Sequence, residues 1–372
     1  MSKKIVVVGG GYGGTEVLRQ IVLRGLRNTE TALISNKRYF ENTIAATELI
    51  SEKVKPDELK YDLKELSTYW NFDLHVSGVE TIDLNQKIVK TRDGEINYDI
   101  LVLATGSEPN FFGVPEKDFV ISAYSLSDFT LINEKLKKLE QNQRVVVVGA
   151  GFVGFEVAAE VIDLFNVLKR KINLTIVEKM STVLPAYNND LAKKLAFEHF
   201  SSKGIKIILG EGVKYIDKEK VILEDGKELE TDLTIWTAGV KASSLTPRIL
   251  GAKLNKGYIE VDERLLVKGR DCVFAIGDVA HVEIGGKVAQ KMAGEALEQG
   301  KTVAKNISLM VNGEKPNIVH SIVYTTDFPK VLLSLGEGKA MLIFGPQYAT
   351  MGAVEYFLKR RIDQEEIMQR FP

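Results

Sequence analysis

Four valines in a row, Val145–Val148, form a short apolar run with no polar break. Such a run reads as a buried parallel strand rather than a half-exposed one, which would alternate. It enters Gly149-Ala150-Gly151-Phe152-Val153-Gly154. A matching pattern opens the chain, where Ile5–Val8 leads into Gly9-Gly10-Gly11-Tyr12-Gly13-Gly14. The first predicted βαβ unit spans Ile5 to about Ile34, with a helix over Thr15–Leu26 and a strand over Thr31–Ile34. Asp57–Trp70 reads as helical, and Asp93-Gly94 as a hairpin turn between Ile88–Lys90 and Ile96–Tyr98. Tyr98–Gly106 is a strand running into a small-residue turn. Pro109 and Pro115 follow, so a domain crossing is expected near residues 107–118. Leu126–Glu140 is an amphipathic helix leading into the second unit, whose helix is Phe155–Leu168 and whose next strand is Leu174–Glu178. Asp190–Lys203 is a helix ended by Gly204, Asp225-Gly226 a further turn, and Asp232–Gly239 a second strand-and-turn like that at Gly106. Val273–Asp278 makes a third, and Lys291–Met310 a long helix. Strands over Ile322–Tyr324 and Val331–Ser334 and a last helix complete the reading.

The glycines give the two apolar runs a chemistry. Gly9, Gly11 and Gly14 fit G-x-G-x-x-G, and so do Gly149, Gly151 and Gly154. In that spacing the first glycine makes the turn, the second lets backbone approach a pyrophosphate, and the third lets helix pack on strand. The phosphates rest on the N-terminus of the following helix, whose free N–H groups favour negative charge. Two such units predict two dinucleotides and chemistry between them. Glu178 ends the second unit's next strand, at roughly the 20-residue spacing of the acid that holds a ribose 2′-hydroxyl. A carboxylate there repels a 2′-phosphate, so NADH is favoured over NADPH. The first unit carries Ser35-Asn36 where that acid would stand, which fits FAD better than NAD. Asp278 in the third turn is placed to bind a ribityl hydroxyl.

Composition narrows the alternatives. The 372 residues, 45% hydrophobic, suit a chain of two to three domains with full cores. A net charge of −1 gives no field favouring nucleic acid. No apolar stretch approaches about 18 residues, so no transmembrane helix is expected. Met1-Ser2-Lys3-Lys4 shows no signal-peptide pattern, which predicts a chain retained in the cytoplasm. Cys272 is the one cysteine, which excludes an internal redox disulfide and a four-cysteine cluster within one chain. The four histidines show no metal-ligand spacing, and no metal site is expected.

Taken in order, Gly9–Gly14, Ala104-Thr105-Gly106, Gly149–Gly154, Thr237-Ala238-Gly239 and Ala275–Asp278 resemble the two-dinucleotide-binding-domain flavoproteins. Ile235–Val240 followed by Ala242-Ser243 looks most like the type II NADH dehydrogenases (NADH:quinone oxidoreductases). Glu298-Gln299-Gly300 resembles that family's Gln-Gln-Gly quinone motif, with Glu298 in place of the first Gln. The chain is also similar to sulfide:quinone oxidoreductases at Ile34–Asn36, Tyr39-Phe40 and Glu355–Lys359, but lacks their paired cysteines.

The resemblance implies an α/β fold of two Rossmann-like domains plus a C-terminal membrane-associating segment. Its expected divisions are residues 1–110 and 253–318 for FAD, 111–252 for NAD, and 319–372 for the interface or anchor. It places FAD on Gly9, Gly11, Tyr12, Gly13, Gly14, Ser35, Asn36, Val79, Ala104, Thr105, Gly106, Gly277, Asp278, Lys291 and Met292. It places NADH on Gly149, Gly151, Phe152, Val153, Gly154, Glu178, Ala238 and Gly239, and the quinone at Glu298 and Gln299. Hydride would pass from NADH to flavin N5 and electrons to a membrane quinone, without proton pumping. The helix starting near Lys291-Met292 would face flavin N1, a placement of order 0.3–2 kcal/mol. Glu156 would point at the nicotinamide and flavin and deliver a proton to the quinone; as a helix-start acid it would merely complement the dipole. Met351, Val354, Leu358 and Ile362 recur at helical spacing beside Lys359, Arg360 and Arg361, as an interfacial anchor would, or a core-packing helix. A peripheral homodimer on the cytoplasmic face of the membrane is expected. The alternatives are a soluble reductase of a small electron-carrier protein, a sulfide oxidase, and a flavin-binding scaffold.

Overall fold

The computed structural model describes residues 2–26, 29–114 and 119–371. Seven α-helices lie among them: α1 (Tyr12–Leu23), α2 (Leu63–Trp70), α3 (Leu126–Lys137), α4 (Phe152–Val167), α5 (Asp190–Ser202), α6 (Ala293–Val311) and α7 (Ala353–Met368). The apolar runs are strands buried on both faces, as a parallel sheet between helix layers requires. In the first sheet the order is Val273–Ala275, Ile100–Leu103, Lys3–Val8, Thr29–Ser35, Asp73–Val76, all parallel. In the second it is Val120–Ser122, Leu233–Trp236, Arg144–Val148, Asn173–Glu178, Lys206–Leu209, again parallel. Two Rossmann-like sheets with covering helices are therefore present.

The crossings between the sheets lie side by side. Ser107–Pro109 leaves the first domain and pairs antiparallel with Val240–Ala242, which returns to it. Soon afterwards Ile249–Leu250 pairs with Ile82–Asp83 of the first domain, so the return comes nearer residue 240 than 252. Pro115, with residues 116–118, lies outside the described residues.

Several expected elements differ, among them the helix expected from Phe155, which starts at Phe152. The first helix starts at Tyr12, directly after Gly11, not at Thr15. Asp57–Trp70 is not one helix. Pro56–Leu59 makes a single 3₁₀ turn, Lys60–Asp62 pairs with Tyr39–Glu41, and α2 begins only at Leu63. Asp62 imposes that start, because its carboxylate caps the helix by accepting from the Lys64 N–H at 2.8 Å. Ile322–Tyr324 belongs to no strand, because a side chain takes its ladder bonds. The Val323 and Tyr324 N–H groups both donate to Glu295 Oε2 at 3.0 Å. The last region is a three-stranded antiparallel sheet, Lys330–Gly336, Lys339–Phe344 and Tyr348–Gly352, followed by α7. Its Val331, Leu333, Leu335, Met341 and Ile343 join the core that holds Phe155 and Phe165 of α4.

Candidate functional site

Both glycine-rich turns are built alike. Gly9 has φ +116° and Gly149 φ +110°, a region glycine occupies without strain. A Cβ on Gly14 would sit 2.0 Å from the Gly9 carbonyl oxygen, and one on Gly154 2.0 Å from that of Gly149. Each third glycine therefore lets its helix touch its strand. Gly11 and Gly151, which precede α1 and α4, have open space where a side chain would project. Neither helix start is capped by a side chain. Each leaves its first N–H groups facing that space, as a pyrophosphate requires.

Some of the expected FAD residues meet at the first turn, whereas Met292 packs against the core of the second domain. Gly10 lies against the buried Ser35 hydroxyl, with 2.9 Å between a Cβ there and Oγ. Asn36 is exposed beside it, and half-buried Val79 opens the strand that follows Ser77-Gly78. Gly13 packs on Ile276, and Gly106 and Gly277 both take positive φ, +68° and +69°. Asp278 Oδ2 accepts from Ser107 Oγ at 2.6 Å, so the third turn is tied to the domain crossing. Lys291 lies over the Tyr258 ring, 4.4 Å from its centroid, and donates to the Ala280 carbonyl. Burial pulls its ammonium down to about 8, against the opposing pull of Asp278. Met292 precedes α6 as its N-cap, without a side-chain bond. Thr105 Oγ1 and Ser77 Oγ are buried with no partner among the described residues. A chain seldom keeps such orphans unless something else satisfies them. Hydroxyls without partners, open helix starts and glycine-lined backbone fit a flavin dinucleotide.

At the second turn, Glu178 Oε2 accepts from the Ala150 N–H and Oε1 from the Met180 N–H, each at 2.8 Å. These bonds fix the carboxylate at the rim of the turn and leave lone pairs for a ribose. Phe152 and Val153 are half-buried, and Ala238-Gly239 lies where Thr237 Oγ1 donates to the Val148 carbonyl at 2.8 Å.

Glu156 occupies the fifth position of α4, so it is not a first-turn dipole partner. It is 1% exposed. Its Oε1 accepts from the Ser334 N–H at 2.9 Å and its Oε2 from Thr47 Oγ1 at 3.3 Å. Lys359 Nζ stands 3.7 Å away. Burial raises the Glu156 carboxyl and Lys359 opposes that rise. Burial also disfavours the Lys359 charge, but Glu156 and Asp363 outweigh it and the ammonium is held upward. The expected positive rim of α7 is thus corrected. Lys359 turns inward onto Glu156, Arg360 pairs with Glu48, and of the three Arg361 alone is exposed.

Two further carboxylates share that face of α4. Glu160 meets Ser51 and Lys53, and Asp163 accepts from Lys53 Nζ at 2.6 Å and from the Glu337 N–H at 2.9 Å. The Glu156, Glu160, Asp163 spacing in an otherwise apolar helix is the signal that sequence reasoning passed over. Burial raises Glu160 to about 7 despite the attraction of Lys53. Between its unfolded value of 4.5 and that value the folded chain holds a proton the unfolded chain releases. This stabilisation is complete below 4.5 and is lost as pH rises through 7, on the order of 3 kcal/mol. Glu160→Gln is accordingly expected to lose less stability than wild type between pH 5 and 8, as thermal melts across that range will show.

The expected quinone pair divides. Gln299 is buried, and its Oε1 accepts from the Gly277 N–H at 2.7 Å. It holds the third turn in place and so acts from beneath that turn. Glu298 stays half-exposed and pairs with Lys301 at 2.7 Å. Below them Glu295 is fully buried and accepts from His320 Nε2 at 2.7 Å and from Gln299 Nε2 at 3.2 Å. Histidine spacing gave no sign of that contact, because it is made across the fold.

Comparison with known proteins agrees with this geometry. The pyridine nucleotide-disulphide oxidoreductase family profile matches residues 3–300. The chain belongs to that family. This oxidoreductase is 26% identical to the type II NADH:quinone oxidoreductase of Staphylococcus epidermidis, over 98% of this chain and 95% of that one. Its fold matches NDH2 from Plasmodium falciparum in complex with NADH, with a TM-score of 0.85 at 18% identity, over 100% of this chain and 98% of that one. It also matches the sulfide:quinone oxidoreductase of Aquifex aeolicus, with a TM-score of 0.84 at 20% identity, over 99% and 91% of the two chains. Despite the family's name, this member has a single cysteine, Cys272, half-buried and unpaired.

Proposed function

We propose that this oxidoreductase carries electrons from NADH through FAD to a membrane quinone. The observation that carries the reading is the pair of uncapped helix starts, α1 and α4, each opening beyond a glycine at the end of a parallel sheet. When bound, FAD supplies hydride acceptance and electron return, while the chain supplies orientation and charge. The α1 turn holds the FAD pyrophosphate, and Ser35, Thr105 and Asp278 hold its hydroxyl groups. The α4 turn and Glu178 hold NADH and disfavour a 2′-phosphate. Glu156, kept protonatable by burial, gives a proton to the reduced quinone. Anaerobic NADH is expected to bleach the yellow protein, and a quinone to restore the colour. A colourless protein that cannot take up flavin would sink the reading.

The surface of α7 favours a membrane acceptor over a soluble carrier protein. Val354 is 78% exposed and Phe357 68%, and Leu358, Ile362 and Met368 continue the apolar face. Phe344, Tyr348 and Met351 of the adjoining sheet extend it. No helix among the described residues is long and apolar enough to cross a membrane, so this face would lie in the interface. We place it against the cytoplasmic face of the membrane, as a peripheral homodimer. Burying a Val or Phe side chain is worth about 1.5–3 kcal/mol. Val354→Asp with Phe357→Asp should therefore cut sedimentation with lipid vesicles at least tenfold, while reduction of ferricyanide by NADH is unchanged. Undiminished sedimentation would remove α7 from the contact. The cysteine count disfavours the sulfide reading, because Cys272 has no second thiol with which to accept sulfur.

A further inference from the structure

Gln290 stands two positions before Met292, the N-cap of α6, in the stretch that would lead up to the flavin. Its side chain reaches across to the second domain, where Nε2 donates to the Ala186 carbonyl at 2.8 Å. A carbonyl only accepts, so the amide has one orientation and Oε1 is turned to the opposite side. There Oε1 is buried and meets no donor among the described residues. The backbone of Gln290 is held as well. Its N–H donates to the Tyr324 carbonyl at 3.0 Å, and its own carbonyl accepts from the Met292 N–H at 3.1 Å. Buried acceptors are ordinarily paired, and one fixed in place without a partner marks where a donor still has to arrive.

The loop that Gln290 touches rests on the second glycine turn. Two positions before Ala186, the Leu184 N–H donates to the Ala150 carbonyl at 2.9 Å. One position after it, Tyr187 is buried, which lifts its phenol, and the nearby Glu156 charge adds to the lift. The Gln290 amide thus spans from the approach to α6 to the loop beside the second turn and Glu156. A neutral amide oxygen suits a neutral N–H donor. NADH carries such donors at its two ends, on adenine and on the nicotinamide carboxamide. Glu178 at the rim of the second turn takes the adenosine ribose, which directs adenine away from α6 and nicotinamide toward it.

We propose that Gln290 is a positioning residue for hydride transfer, its Oε1 accepting from the carboxamide N–H of NADH and so fixing the rotation of the nicotinamide ring. This rests on the NADH reading above and adds to it a residue that discriminates the substituent on that ring. The test uses FAD-loaded enzyme without quinone. NADH is compared with reduced 3-acetylpyridine adenine dinucleotide, in which a methyl group takes the place of the carboxamide nitrogen. Each Kd is read from saturation of the bleaching rate. Wild type is expected to bind NADH at least about fivefold more tightly, because the methyl group leaves the buried acceptor unpaired. Gln290→Met, similar in length but without the acceptor oxygen, should bring the two Kd values within about twofold of each other. Gln290→Ala takes its place if the Met variant does not hold FAD. Damage from losing the Ala186 bond alone would weaken both dinucleotides alike and keep the wild-type ratio, which overturns the proposal. A wild-type ratio within twofold overturns it without any variant. Loss of flavin affinity in the variant at an unchanged dinucleotide ratio would give Oε1 to the flavin instead and overturn it too. Wild-type enzyme that neither dinucleotide bleaches would overturn the NADH reading itself, whereas bleaching by both at equal Kd removes Gln290 alone.

Discussion

Gly154→Ala should leave a yellow protein that NADH no longer bleaches. The added Cβ would lie 2.0 Å from the Gly149 carbonyl oxygen and 2.9 Å from Thr237 Oγ1. The hydroxyl can turn away, but the carbonyl cannot, because the Gly149 N–H is bonded to the Val177 carbonyl at 2.7 Å in the sheet edge. Helix α4 must then withdraw from its strand, carrying its open N-terminus away from where the NADH phosphates would rest. A displacement of about 1 Å at such a site costs on the order of 10²-fold in rate. Stopped-flow mixing with NADH is therefore expected to show at least that loss, with FAD content unaltered and full bleaching by dithionite. The twin change, Gly14→Ala, places a Cβ 2.0 Å from the Gly9 carbonyl oxygen and should instead cost the flavin itself. Wild-type bleaching by the Gly154 variant would mean that the second glycine turn does not hold the nicotinamide dinucleotide.

Glu156→Gln is expected to separate the two half-reactions. The amide preserves the volume and can still accept from the Ser334 N–H, so the junction between α4 and the last sheet should survive. It cannot give up a proton, and it leaves Lys359, 5% exposed, with Asp363 as its remaining close partner at 3.1 Å. General acid catalysis is worth roughly 10²–10⁴-fold. The variant should therefore bleach normally with NADH and recolour with quinone at least 10²-fold more slowly. The pH profile checks the same point. Burial raises the Glu156 carboxyl, so as a proton donor it remains protonated to a higher pH than an ordinary glutamate. Quinone reduction by wild type should fall as pH rises through that elevated value, and the fall should vanish in the variant. Wild-type turnover in the variant would remove Glu156 from proton delivery.

What could be read without the fold is what depends on neighbours in the chain. Gly9 and Gly14 contact each other within one turn, as do Gly149 and Gly154, so spacing alone announces both dinucleotide sites. Buried strands announce themselves as unbroken apolar runs. Glu178 belongs to the same class, since its spacing from the turn follows from one helix and one strand. The helix expected over Asp57–Trp70 failed for the opposite reason. Its first third is decided by pairing with Tyr39–Glu41, which local preference does not register.

The sequence by itself determined two dinucleotide-binding turns, an order of strands and helices compatible with two parallel sheets, and the absence of a thiol pair. The tertiary structure decided the surroundings of Glu156, whose Ser334 partner lies 178 positions away, and the burial of Arg370 on Glu16, 354 positions away. It also decided which face of α7 meets solvent, turning Lys359 inward and Val354 outward. The physical reason is range. A glycine turn is a property of adjacent backbone, but the ionisation of a buried carboxylate is set by whichever distant side chains and backbone groups folding brings within a few ångströms.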